Sequence, residues 1–200
     1  MKIFNLLLVA LMLGIPFTGN AGRKAKILEG SVAALKDVKK MNLQFSYEGL
    51  TIGSEEIPND EYVKRRKEEL NDKEAGKGST WARAWVNDRA SRFEVGFKYG
   101  YDHADNGIKI GKFPQEKYTL IFKSTNLEPG YNVGVSRKSA LLSGEAWIVE
   151  TANPSNVICK LLVEDCPGSM GGFDFDNGER IKLSYEVAGL AIAKLIEKEL

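Results

Sequence analysis

The sequence predicts an α+β fold: an antiparallel sheet of about four strands with helices packed on one face, in the order β-α-α-β-β-β-α. Three observations predict it. Residues 118–125 (YTLIFKST), 139–151 (SALLSGEAWIVET) and 157–164 (VICKLLVE) are strand-like runs, separated by turn signals at Pro129-Gly130 and Asn153-Pro154-Ser155-Asn156. Upstream, Leu43, Phe45 and Tyr47 alternate with Asn42, Gln44, Ser46 and Glu48, the signature of a half-buried strand. Helical spacing of apolar residues then appears twice between these strands and once after them.

The chain opens with MKIFNLLLVALMLGIPFTGNA, one Lys ahead of an apolar run that ends in Gly19-Asn20-Ala21. This reads as a signal peptide over residues 1–21, cleaved near Ala21, leaving a single α+β domain over 22–200 that is soluble in the periplasm or outside the cell. The apolar run is shorter than the roughly 20 residues a bilayer span requires, and no later segment qualifies, so no transmembrane segment is expected in the mature chain. Residues 22–40 lack sustained periodicity and read as an N-terminal arm.

The first helix enters at Pro58-Asn59-Asp60, with Asn59 as the expected cap and Asp60 and Glu61 complementing the helix dipole. Its interleaved charges, from Lys64 to Glu69, mark a solvated surface helix with only Tyr62, Val63 and Leu70 turned inward. Gly76-Lys77-Gly78-Ser79-Thr80 resembles a phosphate loop in composition but not in spacing. Ser79 instead is the expected cap of a second helix whose stripe is Trp81, Trp85, Val86, Ala90, Phe93 and Phe97. Residues 99–113 read as a loop; it carries the single His of the chain, His103, between Asp102 and Asp105. Too few His or Cys accompany it for a zinc site, so no metal ligand is assigned.

Within the sheet, the connection from Gly130 to Lys138 is Gly-rich and ends in the basic pair Arg137-Lys138, the best local candidate for contact with an anion. Gly134-Val135-Ser136 is not a nucleophile elbow. Cys159 lies on the face of Leu161 and Val163 and reads as a buried thiol; if the strand is extended, Cys166 lies about 20 Å further along it, too far for a bridge. Residues 173–179 have the flavour of a calcium loop with the wrong register. Asp176 or Asn177 is better read as the cap of a terminal helix over about 179–198, whose stripe includes Ile181, Tyr185, Ala188, Ile192 and Leu195.

Charge narrows the function. Residues 1–21 hold one of the 28 basic residues and none of the 27 acidic ones, so the remaining charges balance. Nucleic acid, which demands a basic stripe, is not an expected partner. The runs YTLIFKSTNLEPGYNVGV, EAWIVETANPSNVICKLLVEDCPG and GERIKLSYEVAGLAIAKLIEKEL, with Thr80-Trp81-Ala82, Trp85 and Asp88-Arg89 upstream, resemble an uncharacterised family of exported bacterial proteins. More distantly, the order of strands, Gly-rich turn and terminal Ala-rich helix is similar to small envelope auxiliary domains that assist transporters or outer-membrane assembly. That resemblance implies a compartment and a binding role; it supplies no functional residues.

The expected function is therefore a non-catalytic, exported cell-envelope module that binds another envelope protein or a surface polymer without a cofactor. Trp81, Trp85, Arg137, Lys138 and Trp147 are the candidate ligand-binding residues. The alternative is a small-ligand protein that takes a lipid or sugar in an aromatic-lined pocket. A hydrolase, the second alternative, would draw on His103 or on the pair Asp174 and Asp176.

Overall fold

The computed structural model describes residues 25–169 and 176–200; the expected signal peptide and Asp174 lie outside them. In chain order the strands are β1 (Lys26–Gly30), β2 (Lys40–Ser46), β3 (Thr51–Ile52), β4 (Ile57–Pro58), β5 (Lys109–Gly111), β6 (Tyr118–Glu128), β7 (Tyr131–Asn132), β8 (Arg137–Lys138), β9 (Ala140–Glu150) and β10 (Asn153–Gly168). The helices are α1 (Asn59–Lys73), α2 (Lys77–Asp88), α3 (Glu94–His103) and α4 (Asn177–Glu199). A five-residue π turn, Arg89–Phe93, joins α2 to α3 without a break.

The α+β class holds, but the four-stranded antiparallel sheet does not. Among the described residues the main sheet has eight strands and is mixed, in the order β1-β10-β9-β6-β2-β5, with β3 on β6 and β4 on β3. It is antiparallel from β1 to β6, where turns connect β6, β9 and β10. On the other side of β6, strands β2 and β3 run parallel to it, and β5 runs parallel to β2. The physical reason lies in the connection: residues 47–117 carry the chain back over the sheet through the helices, and such a crossover returns the next strand in the same direction. Apolar alternation along β2 looks the same for either orientation of its neighbour. The expected element order also fails, because β3, β4 and β5 are two or three residues long and display no periodicity. The segment read as an arm contributes β1, which pairs with β10, and a short 3-10 turn that buries Val32 and Leu35.

Through the middle of the sheet the strands present two faces, while Val149 and Thr119 at its end are buried on the outer one. Leu120, Phe122, Ala146, Ile148, Cys159 and Leu161 are wholly buried beneath the helices. Ile121, Lys123, Glu145, Trp147, Lys160 and Leu162, one residue out of phase, are only half-buried on the other face. Cys159 and Cys166 are seven positions apart and would face opposite ways on a regular strand. A bulge between Val163 and Cys166, with Asp165 at φ 48°, restores the inward direction, so both are buried and unbridged.

Helix packing is set by glycine. Added Cβ atoms at Gly100 and Gly189 would overlap the carbonyl oxygens of Glu186 and Phe97, and one at Gly96 would lie 2.6 Å from the carbonyl oxygen of Lys182. The backbones of α3 and α4 therefore touch. This brings Phe97 onto Phe122 at 4.5 Å between ring centres and Phe93 onto Tyr185 at 5.3 Å. The Tyr185 hydroxyl is satisfied by Ser124 at 2.7 Å.

Two helix starts differ from expectation. Asn59 is already helical and leaves the cap position to Pro58, while α2 begins at Lys77 after Gly76 in a left-handed conformation. The single aromatic stripe expected over Trp81–Phe97 does not hold: Val86, beside buried Trp85, and Ala90 are exposed, the π turn inserts a residue, and the inward line runs from Trp85 to Phe93, Phe97 and Tyr101. The loop expected over 99–113 is largely structured, since α3 continues to His103 and β5 follows.

Asp176 caps α4 as expected, accepting from the backbone N–H groups of Gly178 and Glu179 and from Arg92 at 2.9 Å. Burial alone would raise its carboxyl pKa, but those donors outweigh it and hold it below the usual range.

Opposing magnitudes decide the outcome of Gly100→Ala. Intrinsic propensity favours the substitution by about 1 kcal/mol, whereas a Cβ driven into backbone costs at least ~2 kcal/mol. Urea unfolding should show a net loss of stability; a gain would mean the helices can separate cheaply. Asp176→Ala should cost about 1 kcal/mol at neutral pH through the lost cap. Because the folded pKa is depressed, that contribution is complete above the ordinary Asp range and disappears as pH falls through the folded value, so the variant's deficit should shrink toward low pH.

Candidate functional site

The α1–α2 hairpin is drawn tight where Gly78 meets the backbone of Lys67, leaving no space for a side chain, and the Gly78 N–H donates to Asn71 Oδ1 at 2.9 Å. This closeness gathers three rings. Tyr62 of α1 lies 6.0 Å from Trp81 and 5.4 Å from Trp85, and the two tryptophans are 5.5 Å apart. Trp85 is buried and its indole N–H donates to Asn59 Oδ1 at 3.0 Å, which explains why Asn59 does not cap its own helix. Trp81 and Tyr62 remain partly open to solvent.

Facing them is the end of the sheet. The β3–β4 hairpin supplies Ile52 and Ile57, and the turn after β6 supplies Glu128, Pro129, Gly130, Tyr131 and Asn132. Between the two walls lies a cleft of about 540 Å³, open along one side, with a mostly polar lining. The turn is fixed from behind by Arg180, a fully buried side chain whose Nε donates to the Pro129 carbonyl at 3.3 Å and which also bonds Asn177. At Gly130, φ is +64° and a Cβ would run into the Lys138 carbonyl, so only glycine closes this wall.

Most charges of the cleft are paired, Glu61 and Lys138 reaching in from outside its lining, while Glu55 on the β3–β4 hairpin makes no ion pair among the described residues. Arg65 pairs with Glu61, Arg66 with Glu69 at 2.6 Å, and Glu128 with Lys138 at 2.8 Å. The Lys73 and Arg66 side chains hold Glu69 below the usual carboxylate range, and burial pushes the Tyr62 hydroxyl up. The arrangement offers aromatic faces edged by planar hydrogen-bonding groups of both signs.

Of the residues singled out in the sequence, Trp81 lines the cleft and Trp85 supports it from beneath. Lys138 contributes through its pair with Glu128, while Arg137 sits exposed on β8 beyond the rim. Trp147 belongs elsewhere, on the half-open face of the sheet. Its ring lies between Lys123 Nζ at 3.6 Å and Lys160 Nζ at 4.7 Å on the flanking strands, and its N–H donates to Glu145 of its own strand at 2.6 Å. His103 is exposed at the end of α3 and stacks on Tyr99. Among the described residues no three His, Cys, Asp or Glu side chains converge as a metal-binding group. No described helix is long and apolar enough to cross a membrane.

Sequence reasoning missed Tyr62, Arg66, Glu128 and Tyr131 as cleft residues. Tyr62 carried a signal, as one of the few apolar residues on a charged helix. The other wall did not, since its proximity to α1 comes only from tertiary packing.

No protein-family model matches the chain, and no curated protein matches it. Among solved structures, the chain is similar to a dodecamer of a PelC variant from Paraburkholderia phytofirmans at 9% identity, over 86% of this chain and 99% of that one, with a TM-score of 0.36. A likeness at that level carries no argument about assembly or function.

Proposed function

We propose that this protein is a non-catalytic, exported envelope module that binds a surface polymer along the cleft between the α1–α2 hairpin and the turn after β6. The observation that carries the reading is the paired aromatic wall, Tyr62 and Trp81, edged on α1 by the Arg66–Glu69 pair and facing a wall in which Glu128 is paired with Lys138. Sugar rings present C–H groups that lie against aromatic faces and hydroxyls that need donors and acceptors in one plane. Arg66, Glu69, Glu128 and Asn132 supply both. Because the lining sets Arg65 and Arg66 against Glu55, Glu69 and Glu128 and so carries little net charge, a neutral or weakly charged polymer fits better than a strongly ionic one.

The same geometry weighs against a lipid in this cleft. A lipid site is enclosed and apolar, whereas this cleft is open and mostly polar. An open cleft suits a segment of a longer chain whose ends extend beyond the protein.

Titration of the protein with size-fractionated envelope polysaccharide, followed by tryptophan fluorescence and by co-sedimentation, tests the proposal. Wild type should bind with a shifted emission, and Trp81→Ala should bind at least about tenfold more weakly, a loss of about 1.4 kcal/mol, with thermal unfolding largely retained because Trp81 is partly exposed. Absence of binding to every fraction, together with a stoichiometric protein partner crosslinked through the cleft, would contradict it.

A further inference from the structure

The hairpin of β7 and β8 stands apart from the main sheet as a two-stranded sheet of its own. Tyr131 pairs with Lys138 and Asn132 with Arg137. Its turn is ordered: the Val133 N–H donates to the Ser136 carbonyl at 3.0 Å, the Gly134 N–H donates to Asn132 Oδ1 at 3.0 Å, and Gly134 takes φ +82°. That ordered turn holds two valines outward, Val133 at 66% exposure and Val135 at 100%, above Tyr131 at 45%. Single apolar residues on a surface need no explanation, but here two exposed valines occupy the apex of one small hairpin with exposed Tyr131 at its base. Directly behind them stand Arg137 and Lys138, both exposed. Lys138 is held by Glu128, and the Arg137 side chain makes no ion pair among the described residues.

From apex to base the order is the two valines of the turn, then Arg137 level with Asn132, then Tyr131 level with Lys138. A bilayer surface presents the complementary order of acyl chains and then a headgroup region with its lipid phosphates. Anionic headgroups match the charge of Arg137 and Lys138. A protein partner fits less well, because a stable interface covers about 800 Å² on each side and the apolar part of this hairpin is only two valines and a tyrosine.

We propose that the β7–β8 hairpin docks the protein on an anionic lipid surface, with Val133 and Val135 inserted at the acyl boundary and Arg137 on the phosphates. The assignment goes beyond the polymer-binding cleft and does not depend on it. Tyr131 and Asn132 belong to both, so docking through the tip places the mouth of the cleft beside the lipid surface.

Co-sedimentation of the full chain with vesicles of phosphatidylcholine alone, or of equal parts phosphatidylcholine and phosphatidylglycerol, provides the test. Binding to the mixed vesicles should be at least about fivefold tighter than to phosphatidylcholine alone. Val133→Asp with Val135→Asp, and separately Arg137→Glu, should each weaken binding to the mixed vesicles by about tenfold. Lys64→Glu, an equal charge reversal on exposed α1, should leave it unchanged. Since all variants share the same first residues, any contribution from that segment cancels. Val135→Trp, which keeps the tip apolar, should show blue-shifted emission on the mixed vesicles. Binding that is indifferent to the valine pair, indifferent to phosphatidylglycerol, or equally reduced by Lys64→Glu overturns the proposal, as does a tip that crosslinks stoichiometrically to a protein while the chain ignores vesicles.

Discussion

Direct contact between the backbones of α3 and α4 is the constraint on which the rest of the molecule depends. Gly96, Gly100 and Gly189 remove the side chains that would otherwise hold the helices apart. At that separation Phe93 stacks on Tyr185, Phe97 and Tyr185 both reach Phe122 on the sheet, and Phe97 also meets Phe45. The close approach also seats Arg92, at the end of the π turn, among Asp88, Asp176 and Glu179, where it locks the run from α2 to α3 onto the start of α4. Two local irregularities, glycine in helices and a π turn between them, are thus the means by which the layer of helices closes on the sheet.

The cleft is built on the periphery of that scaffold. Its aromatic wall comes from a hairpin of helices pulled together at Gly78, and its polar wall comes from the end of β6 braced by buried Arg180. Of the packed layer of α3 and α4, only the start of α4 reaches the cleft, through Asn177 and Arg180. This division separates what keeps the fold from what meets a ligand: the cleft and the hairpin tip can vary in sequence without disturbing the glycine contact. Charge pairs such as Arg66 with Glu69 are exposed and add little to stability. Their role in the cleft is to present oriented donors and acceptors.

Much of the fold was legible in the sequence wherever an element is long enough to repeat. The β6, β9 and β10 meander shows as alternation and turn residues, and α4 shows as an apolar stripe with Asp176 at its start. The parallel half of the sheet was not legible, since alternation does not encode the direction of a neighbour and β3 to β5 are too short to alternate. The π turn at Arg89–Phe93 broke the helical spacing beyond it, because one inserted residue shifts every later position, while Val86 upstream of it is exposed beside buried Trp85. For the site, Trp81 was identifiable as an aromatic on a helix, but its partners across the cleft come from Glu128 to Asn132, remote in the chain. Trp147 has the same composition signal and a different fate, since its strand position points it away from the helices toward Lys123 and Lys160.

Native-state hydrogen exchange measured by mass spectrometry is the most direct test of whether the glycine contact anchors the structure. Amides in α3, α4 and β6 should exchange last and together, through global unfolding, while the α1–α2 hairpin opens earlier and the β7–β8 hairpin earliest. Exchange in α4 that precedes exchange in α1 would contradict this account, since the helix contact would then be a late adornment of a fold held by something else.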